Sequence, residues 1–163
     1  PGNPNIVYAT TSNAGYYRSS NGGASFTAIT LPSVSGAGRM QLGVSPAAPN
    51  EVYVLADNSS TYAFFGLWLS TDTGKTFTLK STKPNLLGFS SSGSDNTGQG
   101  WYTLSLAVSP TNAATVLVGG VNIWKSTNSG TSWSLNASWT GSGAPYVHAD
   151  IHHIIFVPGS GTS

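Results

Sequence analysis

One pattern, Ser-x-Asp/Asn-x-Gly-x-x-aromatic, occurs three times in this chain and constrains its fold more than any other feature. The copies are Ser19, Asn21, Gly23 and Phe26; Ser70, Asp72, Gly74 and Phe77; and Ser126, Asn128, Gly130 and Trp133. A short polar residue followed two positions later by Gly suits a tight turn. Asn or Asp bonds to its own backbone, and Gly takes positive φ without a Cβ clash. The flanking residues read as strands, and the aromatic just beyond the turn is placed to pack over the hairpin. Three copies in one short chain make a repeat.

With the repeat as a ruler, the chain divides into similar units. Ile6–Thr10 and Gly15–Arg18 read as β-branched and aromatic strands entering the first motif, and Phe26–Ile29 leaves it. Met40–Val44, Glu51–Ala56, Gly66–Leu69 and Phe77–Lys80 make a complete second unit of four strands. Tyr102–Val108, Thr115–Gly119, Val121–Lys125 and Trp133–Leu135 repeat that order. His152–Pro158 then reproduces the first strand of a further unit. The predicted organisation is strands 2 to 4 of one unit in residues 1–30, a second unit in 40–82, a third in 101–139, and a first strand in 148–163. No segment carries a helical period, and the abundant Gly, Pro and β-branched residues oppose one.

The motif serines stand 51 and 56 residues apart, at 19, 70 and 126. Four-stranded units at a period of roughly 40 to 50 residues are the signature of β-propeller blades. The expected fold is therefore all-β, a propeller segment of about three four-stranded blades. An ordinary ring takes about four to eight blades, so the expected partners are the remaining blades, in a longer chain or a partner chain. The opening Pro1-Gly2-Asn3-Pro4-Asn5 reads in the same way, as the interior of a longer protein.

Composition narrows the function classes. Only 7% of residues are charged and the formal net charge is +1, so the surface carries no basic footprint for nucleic acid. With no cysteine, neither a disulfide framework nor a thiolate metal site is available. No apolar run approaches the roughly 20 residues of a membrane span. No cofactor is expected.

The three motifs resemble the Asp-box, or BNR repeat, of sialidase-, sortilin- and xyloglucanase-like propellers, with Asn21 and Asn128 standing at the Asp position of two of them. The resemblance implies that the box lies on the hairpin between third and fourth strands, away from the central site. Its Ser, Asp or Asn, Gly and aromatic residues would then be structural. A second resemblance covers about the C-terminal 70 residues. Gly98–Tyr102, Val118–Ser126 and Val147–His152 look like segments of large secreted surface proteins of Bacteroidetes-type bacteria, often exported by a type IX system. This implies a secreted, extracellular or cell-surface location and little about chemistry.

The candidates for chemistry are few. Inverting glycoside hydrolysis needs two carboxylates across a cleft, and the chain has five: Glu51, Asp57, Asp72, Asp95 and Asp150. Near Ala9 to Arg18 the chain resembles xyloglucanase-type propellers, but Ser12 aligns with the family's essential Asp. Asp57 and Asp150 are the remaining catalytic candidates. A sialidase would need an arginine cluster, and only Arg18 and Arg39 are available. If extended, residues 148 to 152 put His148, Asp150 and His152 on one face, about 6 to 7 Å apart at successive steps. Such a cluster would order a loop, contact a ligand or hold a divalent metal. Exposed aromatics are the other resource for sugar stacking: Tyr62, Phe64, Phe65, Trp101, Tyr102 and Trp139. The ligand-binding set is Trp101, Tyr102, His148, Asp150 and His152. The Gly/Ser-rich stretch from Ser90 to Gly100 is expected to be a rim loop or disordered.

Two functions follow from different classes. One is a binding or scaffold module for glycan or a surface protein. The other is part of a xyloglucanase-like glycoside hydrolase whose site is shared with other blades. The sequence is compatible with an enzyme and with a non-catalytic module alike.

Overall fold

A computed structural model of the chain describes residues 2–157. It contains eleven strands and, among the described residues, no helix. The strands are β1 (Val7–Thr10), β2 (Tyr16–Ser19), β3 (Thr27–Ala28), β4 (Ala37–Ser45), β5 (Ala48–Asn58), β6 (Phe64–Ser70), β7 (Thr78–Ser81), β8 (Ser105–Val108), β9 (Val116–Gly119), β10 (Ile123–Ser126) and β11 (Ser134–Ala137). They form three sheets, in the orders β1-β2-β3, β4-β5-β6-β7 and β8-β9-β10-β11. Every pairing is antiparallel between consecutive strands, so each sheet is a simple meander. The strands expected from the β-branched and aromatic runs are present in all three sheets.

The sheets stack face to face, because β-strands with both faces covered tolerate continuous apolar runs. Val52–Ala56 and Leu67–Trp68 are fully buried for this reason, being in the middle sheet. Tyr16, Leu31, Met40, Val54 and Trp68 form the core between the first and second sheets. Tyr53, Leu55, Leu67, Leu106, Val116, Val118 and Trp124 form the larger core between the second and third. Each fully buried Leu, Val or Phe stabilises the fold by roughly 1.5–3 kcal/mol. The outer face of the third sheet is covered by residues 151–157, which form no strand where the sequence led one to be expected from His152. Ile154 and Phe156 pack there on Ala107 and Leu117, and the Ile151 N–H donates to the Gly120 carbonyl at 2.9 Å. The rest of the expected segment 148–163, residues 158–163, lies outside the described residues.

Alternation of direction sends the connections to two opposite ends. At one end lie the three motif hairpins, β2–β3, β6–β7 and β10–β11, with the β4–β5 and β8–β9 turns. At the other lie the β1–β2, β5–β6 and β9–β10 loops and the passages from one sheet to the next. The hairpin end is built from one repeated device. Asp72 Oδ1 accepts from the Ser70 hydroxyl at 2.7 Å and from the Lys75 and Thr76 N–H groups at 3.0 and 2.9 Å, while Oδ2 accepts from the Thr76 hydroxyl at 2.7 Å. These bonds, led by that from the Thr76 N–H, hold the Asp72 carboxyl well below the usual carboxylate range. Asn21 and Asn128 repeat the geometry with an amide. Their Oδ1 atoms accept from Ser19 and Ser126, and their Nδ2 atoms donate to the Ser25 and Ser132 hydroxyls at 2.9 and 2.8 Å. A hydroxyl can donate or accept, so the same cage fits either side chain.

The second and third hairpins also reach back onto the sheet before them. Phe77 meets Tyr16 edge-on at 4.8 Å, and the Trp133 indole donates to the Ser81 hydroxyl at 3.0 Å. A Cβ on Gly74 would collide with the Tyr16 hydroxyl and on Gly130 with Leu67, whereas Gly23 has open space beside it. Phe26, on the first sheet, is exposed.

Candidate functional site

The opposite end gathers the exposed aromatic residues. Tyr62, Phe89, Trp101, Tyr102, Trp139 and Tyr146 all lie in its connections and are all exposed, Trp101 by 59%. Among the described residues the hairpin end exposes only Phe26 of the aromatics. Two expected members of the aromatic set are absent from this surface: Phe64 is buried in the core, and Phe65 stacks on Trp68 at 6.1 Å. Both lie in β6, whose packing between sheets outweighs their nearness to a loop.

The aromatic band is held by backbone bonds between connections. The long passage 82–104 is pinned by Asn85, whose Oδ1 accepts from the Phe64 and Leu87 N–H groups and whose Nδ2 donates to the Asp95 and Thr97 carbonyls, all at 2.8–3.2 Å. Asp95 accepts in turn from the Ser90 N–H. The Gly/Ser-rich stretch is therefore an ordered rim loop. Its far end straps across the β5–β6 loop. The Gly98 N–H donates to the Thr61 carbonyl at 3.1 Å and the Gly100 N–H to the Tyr62 carbonyl at 2.9 Å. Tyr62 itself sits at φ 58°, a conformation that strains an aromatic residue. Its ring meets Trp101 at 6.4 Å and 63°, and Trp101 lies 5.3 Å from Tyr102.

Beneath this band is a cavity of about 290 Å³ lined by Ser12, Asn13, Gly38, Arg39, Asp57, Ser59, Tyr62 and Trp101. Asp57 forms its floor and is 1% exposed. Its Oδ1 accepts from the Arg39 N–H at 2.6 Å. The Arg39 guanidinium turns away, donating to the Trp101 and Tyr102 carbonyls at 3.3 and 3.1 Å. Gly38 and Gly100 cradle the carboxyl so closely that a Cβ at either would collide with Asp57. Burial pushes the Asp57 carboxyl above the usual carboxylate range, offset in part by the Arg39 N–H and the Arg39 charge.

The expected His148, Asp150 and His152 face does not form. Asp150 adopts φ 71°, which breaks the two-residue alternation on which the cluster depended. His148 binds its neighbour's carbonyl, with Nδ1 2.8 Å from the Ala149 oxygen, and Asp150 is exposed. His152 instead joins the aromatic band, meeting Tyr102 edge-on at 4.6 Å. Among the described residues no group of three His, Cys, Asp or Glu is placed to hold a metal ion. Of the ligand-binding candidates, Trp101, Tyr102 and His152 are thus brought together and His148 and Asp150 are not. Of the two catalytic candidates, only Asp57 lines the cavity. Sequence reasoning missed Arg39, Asn13 and Ser59 as its walls. The Gly-Gln-Gly at 98 to 100 was the available signal of a close backbone approach.

Three stacked antiparallel meanders, with a site in the connections at one end, define a β-propeller segment. Known structures agree. Residues over 96% of the chain superpose on a GH74 enzyme of Niastella koreensis with TM-score 0.63 and 26% identity. Over 80% they superpose on a GH74 xyloglucanase from Xanthomonas campestris, with TM-score 0.61 and 24% identity. YCF48 bound to D1 peptide matches over 82% of the chain with TM-score 0.58 and 16% identity. All are β-propeller proteins. The chain spans 23%, 19% and 38% of these proteins, so it matches part of a propeller in each. No family model and no curated protein sequence matches it. Among the described residues no helix is long and apolar enough to cross a membrane.

Proposed function

We propose that this propeller segment is a glycan-binding module of a secreted or cell-surface protein, a Bacteroidetes-type surface protein carrying Asp-box hairpins. The reading rests on one observation, the segregation of exposed aromatics onto the end that also holds the Asp57 cavity. Sugar rings present apolar C–H faces to aromatic planes and hydroxyls to polar side chains. Trp101 and Tyr62 offer the first, and Asp57, Asn13 and the Ser12 and Ser59 hydroxyls the second. The sparse charge of the chain suits a hydroxyl-rich partner. Titration with soluble β-linked gluco-oligosaccharides, followed by calorimetry, tests it. Binding is expected, with Trp101→Ala weakening it at least tenfold; no binding by any oligosaccharide, or none of the effect of Trp101→Ala, overturns it.

The alternative is a share in a xyloglucanase-like hydrolase. Its site would be the cavity lined by Ser12 and Asp57, and Ser12, standing where that family has its essential Asp, removes one carboxylate from it. One carboxylate cannot both protonate the leaving group and activate water, so the second would come from another blade. Release of reducing ends from xyloglucan, abolished by Asp57→Asn, would establish this reading in place of simple binding.

A further inference from the structure

Asp57 is an unusual floor for a neutral-ligand site. It is almost wholly buried, its Oδ1 accepts from the Arg39 backbone N–H, and among the described residues no side chain donates to either of its oxygens. Arg39, the cation among the cavity's lining residues, donates from its guanidinium to the Trp101 and Tyr102 carbonyls and makes no ion pair with Asp57. A buried carboxylate without a cation is costly to keep charged, and the two glycines that cradle it leave no room for it to turn away. The walls complete a pattern. Tyr62 and Trp101 stand at 63° to each other over the same space, and Ser12, Asn13 and Ser59 bring further oxygen acceptors.

We propose that the Asp57 cavity binds a ligand ammonium group, and that the preferred glycan therefore carries a free amine. An ammonium has three donors and no acceptor. One meets an Asp57 oxygen and the others the hydroxyl or amide oxygens of Ser12, Ser59 and Asn13, while the aromatic faces add cation–π attraction. Arg39 is exposed at the rim, where solvent screens its opposing charge. A hydroxyl in the same place would satisfy the hydrogen bonds and leave the charge of Asp57 uncompensated. An N-acetyl group would both remove the charge and add bulk in a cavity near the lower end, about 300 Å³, of small-molecule sites.

This identification of the ligand rests on the glycan reading, and the test separates the two. Calorimetry compares the tetrasaccharides of glucosamine, N-acetylglucosamine and glucose at pH 6 and low salt, with the wild-type chain and Asp57→Asn. In parallel, the carboxyl carbons of 13C-aspartate-labelled protein are followed by NMR on addition of ethylammonium chloride. The amine tetrasaccharide is expected to bind at least tenfold tighter than the other two and to lose that advantage in Asp57→Asn, which keeps the Oδ1 acceptor for Arg39. Ethylammonium is expected to shift Asp57 and leave Asp72 and Asp150 unmoved. Equal binding of all three sugars would overturn the amine proposal and leave the glycan reading standing. An ethylammonium shift at Asp57 without binding of any sugar would do the reverse. No shift with ethylammonium overturns the amine site, whether or not Asp57→Asn folds.

Discussion

Asp72 and Asp57 sit at opposite ends of the same sheet, and their surroundings treat charge in opposite ways. Asp72 is wrapped by four donors from its own hairpin, all within six residues of Ser70, and its charged form is favoured. Asp57 is enclosed by parts of the chain far apart in sequence, with no side-chain donor among the described residues, and its charged form is disfavoured. The first arrangement is a local device that can be copied from blade to blade. The second exists once and is sustained by contacts between connections. The repeated arrangement ties each hairpin to its own sheet, and the unrepeated one is where the proposed ligand would sit.

The largest way to break this contrast is at the motif glycines. Gly74→Ala and Gly130→Ala combine a left-handed backbone, at φ 76° and 78°, with a collision against the sheet before. Each is expected to lower unfolding free energy by about 3 kcal/mol or more. Gly23→Ala, at φ 91° with open space beside it, should lose only the backbone part, about 1 to 2 kcal/mol. Chemical denaturation of the three variants measures this, and equal losses would show that inter-sheet approach plays no part.

Next comes Asn85→Ala. It removes both ends of the bonds that pin passage 82–104, leaving the buried Phe64 and Leu87 N–H groups unpaired, and should destabilise by about 2 to 3 kcal/mol. It should also release the strap over Tyr62, seen as faster hydrogen exchange at Gly98 and Gly100. Exchange unchanged there would mean the strap holds itself.

The hairpin motif was legible in the sequence because every partner of Asp72 lies within a few residues of it. The strands were legible for the same reason, since β-branched runs between turn residues express a local preference that the sheets confirm. The Asp57 cavity was not. Its walls come from β1–β2, β4, β5–β6 and the passage before β8, and no short-range pattern reports that Gly100 will meet Tyr62. The His148 to His152 cluster failed by the converse error. It assumed extended backbone at Asp150, where φ is 71°, and one left-handed residue cancels an alternation argument.

The smallest effects, and the ones that sharpen the contrast most, are those of pH. A carboxyl held below its unfolded value of about 4 contributes stability that is present above that pH and lost as pH falls through the folded value. Asp72 is this case, so Asp72→Asn should cost about 1 kcal/mol at pH 7 and progressively less in acid. A carboxyl raised above that value behaves in the opposite sense. Its contribution is fully present below about pH 4 and lost as pH rises through the folded value. Asp57 is this case, facing Arg39 from β4 and Tyr62 from the β5–β6 loop, with uncharged Ser12 and Asn13 from β1–β2. Asp57→Asn should therefore be neutral or slightly stabilising at pH 7, by up to about 1 kcal/mol, and lose that advantage in acid. Denaturation midpoints from pH 3 to 8 would then part from wild type in opposite directions as pH rises, downward for Asp72→Asn and upward for Asp57→Asn. If both Asn variants lose stability in parallel at every pH, Asp57 is a paired structural carboxylate like Asp72, and its cavity has no unmet charge to offer a ligand.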